Sequence, residues 1–333
     1  MGCACGKELL EIDNRRFRVK KRLGEGAFSY VYLVQEEGTG KLYAVKRIIC
    51  HSKRDEQRVL NEIAVHQKIC DHPNVLSCDG HSVEKLNSHN GVVAYAQQNG
   101  AQEVVSAVEY NLLLPYYKRG TLLEELIWRQ VSGDHISELR VLKLFKGVCD
   151  GLKAFHSLQP TPYAHRDLKP GNVLLANDDS SVLMDLGSAA PARVQVLTAK
   201  EAQTLQDEAA EHSTMTYRAP ELFHVEAGAT IDERTDIWSL GCLLYAMCFF
   251  KSPFDLAHER GDSVALAVIG GNVQIPATSP YTAGVHDFIL SMLRVDPSER
   301  PRSMNEVLAR LDELIKVAPP PPVRGSSVTP SSA

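Results

Sequence analysis

Apolar positions alternate early in the chain and recur at helical spacing later. In Asn14–Arg22 (NRRFRVKKR), Phe17 and Val19 alternate with basic residues, which predicts a strand with one solvated face. Ala44-Val45-Lys46 is a second apolar strand, ending in lysine. Arg54–Cys70 shifts to helical spacing through Val59, Ile63 and Ile69. Asp71-His72-Pro73-Asn74 breaks that helix, and Val75–Val83 predicts another strand. Glu84–Gln102 is rich in Asn, Gln, Ser, His and Gly, and reads as a long loop, disordered rather than ligand-binding. Ala107–Pro115 returns to strand.

Helical spacing dominates from there. Thr121–Gln130 predicts a short helix and Glu138–Leu158 a long one, whose stripe Leu142, Phe145, Val148, Cys149, Leu152 and Phe155 needs only a core to explain it. Ser188–Ser213 has no strong period. Asp232–Phe250 predicts a capped, buried helix, and Gly284–Leu293 and Ser303–Ile315 two more. The Pro/Ser-rich end, APPPPVRGSSVTPSSA from Ala318, predicts disorder.

Composition narrows the function. The 333 residues are 44% hydrophobic and 23% charged, with net charge −5, which argues against a general nucleic-acid binder. Eight scattered cysteines include no pair at zinc-knuckle spacing and suggest a reduced, intracellular protein. The longest apolar run, Leu240–Phe250, is about half the ~20 residues of a membrane span. No cleavable signal peptide is expected.

Chemistry concentrates in Ala164–Asn172 (AHRDLKPGN) and in Leu183–Gly187 (LMDLG). An acid five residues before an amide, then a second acid after a short strand, is a phosphoryl-transfer layout. In it Asp167 accepts the proton of a substrate hydroxyl. Asn172 and Asp185 hold Mg²⁺ on the phosphates of ATP, with Mn²⁺ as a substitute, and Lys169 meets the transferring phosphoryl group. Upstream, Leu23-Gly24-Glu25-Gly26-Ala27-Phe28-Ser29-Tyr30-Val31 offers glycines for close backbone approach to phosphates, with Ser29 where a third glycine is expected. Ala44 and Lys46 follow on their strand, Lys46 set to grip the α/β-phosphates. Glu62 is the expected partner of Lys46, with Glu56 as a rival.

These segments, with the Thr214–Glu221 stretch that ends in Ala-Pro-Glu, resemble the protein kinases, in matching order from Leu23 to Arg302. The resemblance implies an α+β, bilobal fold: an N-lobe over 17–116 and a mainly helical C-lobe over 117–317, flanked by an N-terminal segment 1–16 and a tail 318–333. It implies that Leu23, Gly24, Gly26, Phe28, Ser29, Val31 and Ala44 enclose ATP, that Leu114 is the gatekeeper, and that Pro115, Tyr116 and Tyr117 form the hinge that bonds the base. It also makes Asp236 the acid that holds the catalytic-loop backbone and Arg300 the buried partner of Glu221. Lys169 and Thr214, which by resemblance bond each other and the catalytic acid, point to serine/threonine acceptors in protein substrates. A pseudokinase scaffold would lack a core residue, yet Lys46, Glu62, Asp167, Asn172 and Asp185 are all present. An enzyme acting on a lipid or small molecule fits the Ala-Pro-Glu segment less well. The segments Leu113–Leu122, Val182–Ser188, Thr204–Asp207 and Ile231–Asp236 are similar to the acylated members of the Numb-associated kinase family. That likeness implies a Golgi or secretory-pathway setting and an extra helix near Leu222–Ala229.

Arg166, before the catalytic acid, calls for an anion. A phosphate on Thr198, Thr204 or Ser213 is one source, with Thr204 favoured by resemblance. Asp207, Glu208 or Glu211, unmodified, is the other and the preferred one. At the start, Met1-Gly2-Cys3-Ala4-Cys5-Gly6-Lys7 predicts myristoylation of Gly2 and palmitoylation of Cys3 and Cys5, although Gly6 replaces the usual Ser/Thr. This would place the protein on the cytoplasmic face of Golgi, perinuclear or plasma membranes, with some in the cytosol. The six basic residues within Asn14–Arg22 read first as a charged edge strand and second as an attraction to anionic lipid. No oligomeric state is read from the sequence.

Overall fold

Alternation of apolar and polar residues builds the first lobe. The computed structural model describes residues 9–26, 29–69, 71–86 and 107–320. Strands β1 (Leu9–Ile12), β2 (Arg15–Glu25), β3 (Ser29–Glu36), β4 (Leu42–Cys50), β5 (Gly80–Lys85) and β6 (Val108–Pro115) form one antiparallel sheet in the order β1-β2-β3-β4-β6-β5. On β4, Tyr43 and Val45 pack with Phe17, Val34 and Leu113 on one face. Ala44 and Ile48 point the other way, toward Val59 and Ile63 of helix α1 (Lys53–Lys68). α1 starts at Ser52, whose hydroxyl accepts from the Asp55 amide while the Asp55 carboxylate accepts from the Ser52 amide.

In the second lobe, α2 (Leu122–Ser132) and α3 (Glu138–His156) follow the sheet. After the catalytic segment come α4 (Ala199–His212), α5 (Arg234–Phe249), α6 (Asp255–Arg260), α7 (Val264–Gly270), α8 (Ala283–Met292) and α9 (Met304–Val317). The core joins Phe145, Val148, Leu152 and Phe155 of α3 to Trp238, Leu240 and Leu243 of α5, all fully buried, and to Phe288 of α8 and Leu311 of α9. α5 is apolar nearly all round because neighbours cover nearly all of it. At Gly151 in α3, an added Cβ would lie 2.6 Å from the Asn74 carbonyl oxygen, so only glycine admits that approach.

Three expectations need correction. The strand predicted over 75–83 forms at Gly80–Lys85 instead, because residues 74–76 bond Leu183 of the second lobe: the Leu76 amide donates to the Leu183 carbonyl at 2.8 Å, and the Leu183 amide to the Asn74 carbonyl at 2.8 Å. The extra helix expected near 222–229 lies earlier, as α4, while that stretch holds only the end of a single 3₁₀ turn (Pro220–Leu222). The segment 188–213, read as aperiodic, therefore contains a helix. In addition, the sheet begins at Leu9, inside the segment set apart as 1–16, and α6 and α7 were not anticipated. Gly2, Cys3, Cys5, Phe28, the polar loop from 87 on and the tail from 321 lie outside the described residues.

Arg300 ties the second lobe together. Its guanidinium donates to both oxygens of Glu221 at 2.8 Å and to the carbonyls of Arg294, Arg234 and Val295, and it lies 5.1 Å from the Trp238 ring centre. The Arg300 side chain is fully buried, so removing it strands the Glu221 carboxylate and three carbonyls. Arg300→Ala is expected to destabilise the fold by about 3–5 kcal/mol, read by urea unfolding; a loss below ~1 kcal/mol, the scale of an exposed pair, would show that the cluster carries no such weight.

Candidate active site

Between the lobes lies a cleft of about 660 Å³. Leu23, Gly24 and Gly26 line it from β2 and the turn after it, and Ser29 and Val31 from β3. Ala44 and Lys46 come from β4, Glu62 from α1, Leu114 from β6, and Tyr116 and Tyr117 from the link to the second lobe. Every described residue expected to enclose the nucleotide is therefore in its wall. Leu174 and Met184 complete the floor from the second lobe and were missed. Their only sequence signal is position, two residues after Asn172 and one before Asp185.

Lys46 sits at the back of the cleft. Its Nζ donates to Glu62 Oε1 and to Asp185 Oδ1, each at 2.7 Å, so the rival Glu56 is set aside. Burial works against the charged ammonium, yet Asp185 and Glu62 together hold the Lys46 pKa above its ordinary value. Lys46 in turn holds Asp185 down to about 2. Burial pushes Glu62 the other way, above the usual carboxylate range, offset only in part by Lys46. Asp185 has φ 62°, a left-handed conformation that aspartate tolerates better than most residues.

The catalytic segment is held from below. Asp236 is fully buried, and its carboxylate accepts from the backbone amides of His165 at 2.8 Å and Arg166 at 2.9 Å and bonds His156 Nε2 at 2.9 Å. Arg166 can then keep φ 66°, an unfavourable value for a long side chain. Asp167 is buried at the site and its four acceptor positions are filled. Oδ1 accepts from the Thr214 amide at 2.9 Å and hydroxyl at 2.7 Å; Oδ2 faces Lys169 Nζ at 2.7 Å and Asn172 Nδ2 at 2.9 Å. Lys169 also donates to Thr214 Oγ1 at 2.7 Å, so the expected triangle of Asp167, Lys169 and Thr214 is present.

Asn172 turns its amide nitrogen to Asp167, which leaves its oxygen to offer a cation, and Asp185 supplies a carboxylate. Among the described residues no cluster of three or more His, Cys, Asp or Glu side chains is arranged for a metal. Two hard oxygen donors fit a cation that completes its shell with phosphate and water.

The arrangement can thus hold a polyphosphate against an ammonium and a hydroxyl against a carboxylate. A protein kinase domain model matches residues 17–310. The chain belongs to the protein kinase family. This kinase is 41% identical to serine/threonine-protein kinase 16 of Rattus norvegicus over 320 residues, 96% of each chain. It is 41% identical to serine/threonine-protein kinase 16 of Homo sapiens, over 96% of each chain. It is 33% identical to serine/threonine-protein kinase ppk13 of Schizosaccharomyces pombe, over 90% of this chain and 91% of that one. The kinase is a serine/threonine protein kinase with the bilobal α+β fold, and it uses ATP and a divalent metal on protein substrates.

The anion expected at Arg166 takes another form. The Arg166 guanidinium donates to the Pro191 carbonyl at 2.9 Å and forms no ion pair among the described residues; burial lowers its pKa. Asp207 accepts from Gln203 and Glu211 pairs with Arg58, leaving Glu208 as a more distant charge. Lys46→Met removes both ion pairs at the back of the cleft. It is expected to raise the KM for ATP and cut kcat/KM at least tenfold, about the loss of one strong charge-assisted contact; unchanged kinetics would place the phosphates elsewhere.

Proposed function

We propose that the kinase transfers the γ-phosphoryl group of Mg-ATP to serine and threonine hydroxyls of proteins, with Asp167 as the base. The observation that carries this reading is the saturated Asp167 carboxylate, with the partly exposed ammonium of Lys169 among its partners. When nucleotide binds, Lys169 turns from Oδ2 toward the γ-phosphoryl oxygens and vacates one acceptor position. The incoming hydroxyl donates to that position. Its oxygen forms the new bond to the γ-phosphorus as the bond to the β–γ bridging oxygen breaks, and its proton passes to Asp167. Mg-ATP supplies the phosphoryl group and a cation that offsets the charge on the leaving diphosphate. Asn172 and Asp185 are the residues for Mg²⁺, with Mn²⁺ as a substitute, and Lys46, positioned by Glu62, is the residue for the α/β-phosphates. Thr214 keeps Asp167 and Lys169 in register.

The protein acts at membranes in this reading, on the cytoplasmic face of Golgi, perinuclear or plasma membranes. Gly2 carries an amide-linked acyl chain and Cys3 and Cys5 carry thioester-linked ones. Among the described residues no helix is long and apolar enough to cross a bilayer. One myristoyl chain binds only marginally, with K on the order of 10⁴ M⁻¹, so a stable anchor takes two signals.

Asp167→Asn is expected to lower kcat by about 10²–10⁴-fold with ATP affinity retained, and phosphoamino-acid analysis of the parent's product to show phosphoserine and phosphothreonine. Transfer at the parental rate, or mainly phosphotyrosine, would sink the assignment. In cells, Gly2→Ala is expected to leave the kinase in the soluble fraction and unacylated at Cys3 and Cys5. A variant still tightly membrane-bound would move the anchor to the basic run Arg15–Arg22 or to a protein partner.

A further inference from the structure

Helix α2 has three faces, and one of them is apolar and turned outward. Leu122 and Leu126 are buried in the core of the second lobe. Glu125 and Arg129 form a second face, paired with each other at 2.8 Å and with Arg140 and Asp134 respectively. On the third face, Leu123, Ile127 and Val131 recur every four residues at 42%, 53% and 86% exposure, and Trp128 beside them is 61% exposed. A soluble domain seldom leaves large apolar side chains grouped in water unless something binds there.

The stripe begins at the catalytic segment. A Cβ added at Gly171 would lie 3.7 Å from Leu123 Cδ2 and 3.9 Å from Lys169 Cε, both ordinary contacts. The backbone at Gly171 also stays out of the left-handed region. Neither packing nor conformation therefore requires glycine there. What glycine leaves is an open passage between Lys169, which faces Asp167, and the first residue of the stripe. A chain whose hydroxyl reaches Asp167 has to lie beside this passage, because Gly171 adjoins Asn172, whose Nδ2 is 2.9 Å from Asp167 Oδ2. The spacing suits an extended chain. Leu123, Ile127 and Val131 repeat at about 6 Å along the helix axis, and alternate side chains of an extended chain repeat at about 6.5–7 Å on one face.

We infer that this face of α2 docks the protein substrate and selects substrates with large apolar residues at alternate positions on one side of the acceptor hydroxyl. The inference rests on the proposed role of Asp167 as the base that receives that hydroxyl. The occupant is a substrate chain because the stripe runs without a break into the catalytic segment at Gly171. Its recognition is apolar because the charges of α2 are already engaged. The Glu124 carboxylate accepts from the Thr121 amide at 2.7 Å and closes the helix cap, and Glu125 and Arg129 hold their ion pairs. A basic or an acidic flank would find no free charge on this helix.

The test uses purified full-length protein and short synthetic peptides with a single serine. One set carries leucine at alternate positions before the serine, a second carries it after, and a third has alanine throughout. One leucine set is expected to exceed the alanine set about tenfold in kcat/KM, chiefly through a lower peptide KM, the scale of burying one such side chain on a half-covered surface. In Ile127→Glu with Val131→Glu the leucine-to-alanine ratio is expected to fall to about one, at an unchanged KM for ATP and near the parental melting temperature, because both positions are exposed. Should that variant melt early, the two serine substitutions take its place with the same fall in ratio expected. Equal kcat/KM for all three sets in the parent, or a leucine preference that survives in the folded variant, would overturn the inference. So would a parent that sediments as a dimer and becomes monomeric in the variant, which would give the face to a second copy of this chain. Failure of the kinase reading is distinguishable, because the parent would then phosphorylate none of the peptides, whereas failure of the inference alone leaves all three phosphorylated alike.

Discussion

The Lys46 ammonium is the contact on which the site depends. Among the described residues it donates to Glu62 from α1 and to Asp185 from the second lobe, each at 2.7 Å. Three parts of the chain, 139 residues apart at the extreme, therefore have to be in place together. Like charges on Glu62 and Asp185 would repel if Lys46 were absent, and Glu62, already pushed toward its neutral form by burial, would lose the counter-charge that Lys46 supplies. A buried charge with both partners present is stable, and with one missing it is costly. That asymmetry ties the placement of α1 and of Asp185 to Lys46.

The second lobe solves a matching problem with Asp236. A loop that carries a reactive carboxylate has backbone amides with no ladder to join, and buried amides must be paired. The Asp236 carboxylate takes two of them and fixes Arg166 in the left-handed region, so Asp167 leaves the loop aimed at the cleft. Asp236 is supplied by the first turn of α5, the most deeply buried helix of the lobe. Catalytic geometry is thereby referred to the hydrophobic core, which has little freedom to relax.

Much of this was legible in the sequence. The helices at 138–156, 234–249 and 304–317 announced themselves by long apolar stripes, and the site residues by motif and spacing. α4 did not, because its buried stripe is Ala202, Leu205 and Ala209, and two alanines give little contrast against a polar background. Its start was nevertheless written in Thr198 and Glu201, a capping box three residues apart. The strand at 80–85 was misplaced for a different reason: Val75 and Leu76 are apolar but are spent on Leu183 of the other lobe, a pairing no local pattern records. Leu174 and Met184 were overlooked because single apolar residues beside polar motifs look like ordinary core.

By itself the sequence determined the family, the order of the elements and the identity of the charged groups, because these follow from residue type and spacing. Tertiary structure alone decided which charges meet. Glu62 rather than Glu56 faces Lys46, since only one of the two is turned inward on α1. Glu211 goes to Arg58 and not to Arg166, since α4 packs its apolar side on Val225 and Ile231 and so turns its acidic end toward α1. A carboxylate's partner is set by distances of a few ångströms between residues far apart in the chain, and only the packing of the core fixes those distances.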